Sequence, residues 1–237
     1  LTLTLTLTLT LTLTLTLTLT LTLTLVLQVI ETCTDGQWDV IICDLNDPLD
    51  EGPCWQLYTK EFYATALLKL APDGILVTQA GCSSVWLAED EKSQFSAIHN
   101  TLKQVFPPAQ VIPYGAFLPS FTDEWGFQLC FKAPKNTSFL VDVELGRGID
   151  ECLAVLQLPQ RLRWYDSTAH RKMFAIPKPV RALLNSDKTI IALNNPFYLT
   201  SYLENTQTPP KGILGRTGAP TSTSNGSVTS EGHEQDK

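Results

Sequence analysis

Apolar and polar positions fall into blocks of alternating period from Trp38 onward. Residues 38 to 43 form a short, almost unbroken apolar run, the pattern of a strand buried in an open sheet. Asp35-Gly36 ahead of it is a turn signal, and the stretch from about Leu27 to Thr34 reads as a short helix leading into that turn. From Tyr58 to Leu70 the spacing changes, with Phe62, Ala66, Leu67 and Leu70 on one helical stripe. Asp73-Gly74 then turns the chain into a second apolar strand over 75 to 79, ending at Ala80-Gly81. A polar loop with Glu89-Asp90-Glu91 opens a helix over roughly Glu91 to Val105, with Phe95, Ile98, Leu102 and Val105 facing inward. The acidic residues of its first turn would complement the helix dipole. After Pro107-Pro108, residues 110–117 and 125–132 read as two further strands.

Strand, helix, strand, helix, strand predicts a parallel sheet with helices packed on it, an α/β domain. The loop between the last two strands, Leu118 to Glu124, is too short for a crossover helix, so the sheet should close with an antiparallel hairpin. Residues 134 to 200 are less regular, with short helices at Glu151 to Leu156 and Pro179 to Leu184 and the run Arg163-Trp164-Tyr165-Asp166 between them. Beyond about Asn205 the chain turns to Thr, Ser, Pro, Gly and Asn and should be disordered.

Residues 1 to 25 change how the composition is read, because they are an uninterrupted Leu-Thr alternation that inflates the apolar fraction. Thr at every second position is too polar for a membrane helix, and a basic start and small-residue cleavage site are missing. Period-two alternation with β-branched Thr favours an extended strand, an aggregation hazard if unpaired. Residues 1–26 therefore stand apart from the domain, as a truncated gene model or a translated nucleotide repeat joined to a genuine domain would. Net charge of −7 argues against a nucleic-acid partner and suits a cationic small molecule. The six Cys (Cys33, Cys43, Cys54, Cys82, Cys130, Cys152) show no CxxC pair and read as reduced thiols of a cytoplasmic protein, with zinc disfavoured. Neither a P-loop nor a GxSxG elbow is present.

The chemistry concentrates where the first strand ends. Asp44-Leu45-Asn46-Asp47-Pro48 follows it directly, with Gly52-Pro53-Cys54-Trp55-Gln56-Leu57-Tyr58 close behind. Pro48 ends strand pairing and biases Asp47 to extended geometry, so both carboxylates can enter one crevice at the carboxyl end of the strand. Two readings fit this loop: an acid pair for a cationic ligand, or a turn capped by Asp. Trp125 and Phe127 read as core aromatics, Tyr58 equally as helix packing or as a ligand contact, and His99 and His170 lack partners at a telling spacing.

The stretch Asp39 to Gly81 resembles the spermidine/spermine synthase family of aminopropyltransferases. The likeness rests on Asp-Val-Ile-Ile-Cys-Asp-Leu-Asn-Asp-Pro, Gly-Pro-Cys-Trp-Gln-Leu-Tyr-Thr-Lys-Glu-Phe-Tyr and Gly-Ile-Leu-Val-Thr-Gln-Ala-Gly at matching spacing. Gly-Pro-Cys, Leu-Tyr-Thr and the run from Asn100 to Phe106 look most like its thermospermine synthase branch. Pro119-Ser120-Phe121, Glu124-Trp125-Gly126-Phe127, Arg163 to Asp166 and Val180 to Leu183 extend the likeness over about residues 36 to 190.

This resemblance implies a Rossmann-like, methyltransferase-type sheet, of which the chain carries the C-terminal half. It implies transfer of an aminopropyl group from decarboxylated S-adenosylmethionine to putrescine or spermidine, leaving methylthioadenosine. The donor is then a co-substrate and no cofactor or metal is required. The attacking amine, with a pKa of about 10 when free, must lose its proton before it attacks. By position Asp44 matches the catalytic carboxylate, Asp47 and Gln79 match acceptor-nitrogen contacts, and Pro53 and Leu57 border the donor. Asp47 could instead cap the turn, and Gln79 could satisfy loop backbone. Phe121 stands where the family usually has a Tyr whose hydroxyl helps hold the acceptor. The family's glycine-rich donor loop, ribose-binding acid and N-terminal hairpin domain would fall where the repeat lies, and with them the first three strands of the sheet. The expected organisation is the repeat at 1–26, a partial aminopropyltransferase domain at 27–200 and a disordered tail at 201–237. The chain alone is expected to show no turnover. A non-catalytic remnant and, more weakly, a methyltransferase are the alternatives, and a homodimer is expected only from the family.

Overall fold

Turn chemistry and a buried lysine set the entry to the sheet. The computed structural model describes residues 4–8, 26–48, 53–85, 93–159 and 161–198. Contacts divide the chain into residues 1–201 and 202–237, and the second unit, with the predicted tail, lies outside the described residues. A short helix over 26–32 (α1) ends before Asp35-Gly36, where Gly36 takes φ 72, a left-handed value glycine adopts without strain. The buried Lys69 ammonium donates to Asp35 Oδ1 at 2.7 Å and to Cys33 O at 2.8 Å, which holds this turn.

Strand β2 (Trp38–Asp44) follows, then a 3-10 turn over Pro53–Tyr58 and helix α2 (Lys60–Lys69). Thr59 caps α2 by accepting from the Phe62 amide. Strand β3 (Leu70–Cys82) is longer than the apolar pattern predicts. Leu70 pairs with Trp38 and Ile75 with Val40, so the expected Asp73-Gly74 turn is absorbed as an irregularity inside one strand. Helix α3 (Gln94–Leu102) also departs from expectation: Ser93 and Ser96 form a reciprocal capping box at its start, in place of an acidic first turn. Glu89, Asp90 and Glu91 lie outside the described residues. Strands β4 (Val111–Leu118) and β5 (Asp123–Phe131) form the antiparallel hairpin that the short loop required.

With a first strand β1 over Thr4–Thr8, sheet order is β1-β2-β3-β5-β4, with β2 and β3 parallel and β3 and β5 antiparallel. Strand β1 (Thr4–Thr8) comes from the repeat and pairs in parallel with Val40 to Asp44. One stretch of the repeat is thus an edge strand, as its period predicts, although the chain organisation expected above set residues 1–26 apart from the domain.

The two faces of the sheet differ. Ile41, Cys43, Leu76, Thr78, Ala80, Gln128 and Cys130 point to one face and are buried. They pack with Tyr63 and Phe62 of α2 and Phe95, Ile98 and Leu102 of α3 in the main core. On the other face Val40, Ile42, Ile75, Val77 and Leu129 are only half-buried. Two helices missing from the sequence reading, α4 (Thr137–Leu145) and α6 (Ser167–Phe174), pack together, and α6 covers the β4 end of this second face through Tyr114, Phe127 and Phe174. Helices α5 (Ile149–Val155) and α7 (Lys178–Ser186) match the two short helices expected, and α7 is tied to α3 by Asn100 Nδ2 donating to Asp187 O at 2.8 Å. All six cysteines are free; Cys43 and Cys130 are buried and Cys152 is exposed.

Candidate active site

Register alone brings the chemistry together. On β2, Val40, Ile42 and Asp44 share the half-buried face, and on β3 so do Ile75, Val77 and Gln79. The ladder runs as far as the Cys43–Thr78 pair, so Asp44 and Gln79 emerge side by side at the carboxyl ends of two parallel strands. On β5 the same face carries Leu129, Phe127 and Trp125. Phe127 lies opposite Gln79, and Trp125, two residues earlier on β5 and paired with Cys82, reaches Gln79 through its indole.

Asp44 is exposed and, among the described residues, has no hydrogen-bond or ion-pair partner. Asp47 is half-buried in the loop beyond it. Its Oδ1 lies 3.4 Å from Gln79 Nε2 and 3.4 Å from Gln94 Nε2, the latter carried by α3. Burial raises the Asp47 carboxyl above its ordinary value, while the hydrogen bonds from Gln94 and Gln79 oppose the rise. Gly81 makes room for Gln94: at φ 76 its position is suited to glycine, and a Cβ there would sit 2.5 Å from Gln94 Oε1.

Gln79 is the hub of the site. Only 4 % exposed, its Nε2 donates to Leu45 O at 2.7 Å and to the Tyr58 hydroxyl at 2.5 Å. Its Oε1 accepts from the Gly81 amide at 2.8 Å and from the Trp125 indole Nε1 at 3.1 Å. Two amide protons and two lone pairs are thereby used, so the Asp47 contact is the weakest of the set. The reading in which Gln79 satisfies loop backbone describes this geometry. Tyr58 is likewise committed: its hydroxyl reaches Asn46 O at 3.0 Å and Leu45 O at 3.3 Å, clamping the loop between the two acids. Burial pushes its phenol well above the ordinary range.

Phe121 lies in the β4–β5 turn, 52 % exposed, stacked on Trp125 with ring centroids 4.3 Å apart and an interplanar angle of 27°. Trp125 thus belongs to the site, where the sequence reading put it in the core. Phe127 does pack internally, against Tyr114. Leu57 is buried in the core, and Pro53 begins the 3-10 turn that leads to it. Cys82 at the end of β3 donates to Asp123 Oδ2 at 3.4 Å, its thiol pushed up to about 11, chiefly by burial. His99 is bonded to Gln128 in the core, and His170 to Tyr165 and Val143, away from the acids. Gln94 and Trp125 are the site residues that sequence reasoning missed. Gln94 gave no signal, whereas counting by twos from Phe127 and Leu129 would have placed Trp125.

Fold and site together define an α/β protein of Rossmann-like type, with uncompensated carboxylates at the strand ends where such sheets bind ligands. The chain belongs to the spermine/spermidine synthase family, since the family profile for the spermine/spermidine synthase domain matches residues 16–140, more than half of its length. It is 44% identical over 117 residues to the thermospermine synthase ACAULIS5 of Arabidopsis thaliana, covering 48% of this chain and 32% of that protein. Polyamine aminopropyltransferase 2 of Hyperthermus butylicus is 33% identical over 170 residues, covering 72% of this chain and 51% of the relative. Among solved structures, a spermidine synthase in complex with the transition-state analogue AdoDATO matches with TM-score 0.50 and 22% identity, over 67% of this chain and 48% of that one. That likeness shows the fold. The chain spans about half the length of most curated relatives it matches, and about a third of ACAULIS5.

Proposed function

We propose that this chain carries the acceptor side of an aminopropyltransferase site, which moves the aminopropyl group of decarboxylated S-adenosylmethionine to putrescine or spermidine and releases methylthioadenosine. The observation that carries the reading is Asp44, an exposed carboxylate without a protein cation, at the end of β2 and three residues before the partly desolvated Asp47. An ammonium supplies the missing charge. Asp44 holds the attacking ammonium and takes up its proton, and the freed nitrogen lone pair then attacks the carbon beside the sulfonium, whose carbon–sulfur bond breaks so that the sulfur leaves as a neutral thioether. Asp47 holds a second nitrogen. Gln79, whose polar valences are used within the protein, fixes Asp47 and the loop. Proximity and charge placement supply the catalysis, and the proposal includes neither a covalent intermediate nor a metal or cofactor. Pro53 and Leu57 border the donor in this scheme, through the turn they share.

A cytoplasmic setting and a homodimer belong to the proposal; among the described residues no helix is long and apolar enough to cross a membrane. The half-buried face of Val40, Ile42, Ile75, Val77 and Leu129 favours a second reading, a polyamine-binding remnant that pairs with another chain. Incubating the chain with spermidine and either decarboxylated or ordinary adenosylmethionine separates the readings. Methylthioadenosine release from the decarboxylated donor, abolished by Asp44→Asn, supports transfer. Spermidine binding without release supports the remnant, and methylated product would overturn both.

A further inference from the structure

Two amides reach the Asp47 carboxylate, and they are not equivalent. Gln79 and Gln94 each place Nε2 3.4 Å from Asp47 Oδ1. Both protons of Gln79 Nε2 already go to Leu45 O and the Tyr58 hydroxyl, at shorter distances. Gln94 Nε2 has Asp47 as its one partner among the described residues, and the side chain is buried. Of the two hydrogen bonds that favour the charged carboxylate against burial, the one from Gln94 counts for more. The helix that carries Gln94 is anchored from behind. Within the capping box of α3, the Ser96 hydroxyl donates to Asp187 Oδ2 at 2.5 Å, and Asp187 Oδ1 accepts from the Thr189 amide at 2.8 Å. Asp187 is buried and takes no part in the proposed transfer. In front, Gly81 leaves the space that the Gln94 amide fills.

Resting on the acceptor reading above, we propose that Gln94 is a positioning residue: it donates to the Asp47 carboxylate and holds it in place for an acceptor ammonium, with Gly81 as its seat and the Asp187–Ser96 tie as the anchor of its helix. A hydrogen bond from a neutral amide favours the charged carboxylate, and only that form pairs with an ammonium. Among the described residues the titratable groups around Asp47 do not supply this support. Asp44, three residues earlier, carries the same charge. The Tyr58 phenol of the 3-10 turn stays neutral, since burial holds it well above the ordinary range. β3 faces Asp47 with the uncharged Gln79, and His99 of α3 is turned to Gln128 in the core. Gln79 therefore secures the loop backbone, while Gln94 secures the carboxylate.

The test uses the 237-residue chain with Gln94→Leu and Gln94→Met, two replacements that keep the volume and remove the donor, and near-UV circular dichroism as a check of packing. The Asp47 carboxyl is titrated by carbon-13 NMR of the chain labelled at aspartate, assigned with Asp47→Asn, and spermidine is titrated calorimetrically across the same pH range. Both variants should move the Asp47 midpoint upward, because burial then acts with one opposing hydrogen bond fewer. Spermidine binding should weaken by roughly three- to tenfold at pH 7, the range expected for one lost hydrogen bond to a charged group at long distance, and the loss should deepen as pH falls. A side chain that only packs beneath Gly81 would move neither the midpoint nor the pH profile. A midpoint that stays in place in both variants, or one that rises with no loss of spermidine affinity, would overturn this inference while leaving the acceptor reading intact. Failure of the parent chain to bind spermidine would overturn both.

Discussion

Replacing Gln79 with leucine separates a positioning role from a direct contact. In the parent chain this amide serves Leu45 O, the Tyr58 hydroxyl, the Gly81 amide and the Trp125 indole from a position 4 % exposed. Leucine is close in volume, so the change removes polar partners without opening a large cavity. Leu45 O keeps its bond from the Tyr58 hydroxyl, and the half-exposed indole can reach water. The Gly81 amide is buried and loses its acceptor. One orphaned buried group costs about 1–3 kcal/mol, and the lost ties to Tyr58 and Trp125 add roughly 1 kcal/mol. Gln79→Leu should therefore lower stability by about 2–4 kcal/mol in urea titrations followed by circular dichroism, with the slope of the transition unchanged. Spermidine affinity should fall with it, because Asp47 and its loop lose an anchor. A stability loss below about 0.5 kcal/mol together with a large affinity loss would refute this reasoning, and would restore Gln79 as a group that touches the acceptor.

Asp44→Asn should leave stability within about 0.5 kcal/mol, as expected for an exposed side chain without partners, and weaken spermidine binding; a large shift in the urea midpoint would contradict its placement. The pH dependence has two opposed parts. Burial lowers the His99 imidazole to about 4 from 6.5, so the unfolded chain binds the proton first and stability is lost as pH falls from about 6.5 to 4, by roughly 3 kcal/mol at the limit. His99→Gln, which can still donate to Gln128 Oε1, should flatten that limb in urea titrations at stepped pH. Asp47 acts the other way: its folded value is raised, so its charged form costs stability above that value, and the cost disappears as pH falls toward the unfolded value near 3.8. Asp47→Asn should accordingly stabilise the chain at pH 7. Gly126→Ala, where a Cβ would lie 2.4 Å from Phe95 Cδ2, should destabilise by about 1–3 kcal/mol in thermal melts.

The sheet was legible because its strands carry apolar runs set off by Gly and Pro signals, although β3 runs through Asp73-Gly74, and because the loop before Asp123 is too short for a crossover. Helices α4 and α6 were not. Four of the five apolar residues of α4 (Phe139, Val141, Val143, Leu145) alternate as in a strand, and its helical state rests on the Asn136 cap and the left-handed Gly146. Helix α6 has few apolar residues, and its start rests on Asp166 accepting from the Ala169 amide. At the site, Asp44 and Asp47 could be found because one strand and one proline present them. Gln94 reaches Asp47 from a helix 47 positions away. That contact depends on the glycine at 81 and on how α3 packs, neither of which leaves a periodic trace.

The proposed function requires that the Asp44–Asp47 pair receive a polyamine. Calorimetric titration of spermidine into the parent chain and into Asp44→Asn, Asp47→Asn and the double variant tests it most directly. Saturable binding at one site is expected, weakened roughly tenfold by each replacement and abolished by both, with affinity falling as salt rises. Binding that survives the double replacement unchanged, or no saturable binding by the parent chain, would contradict it.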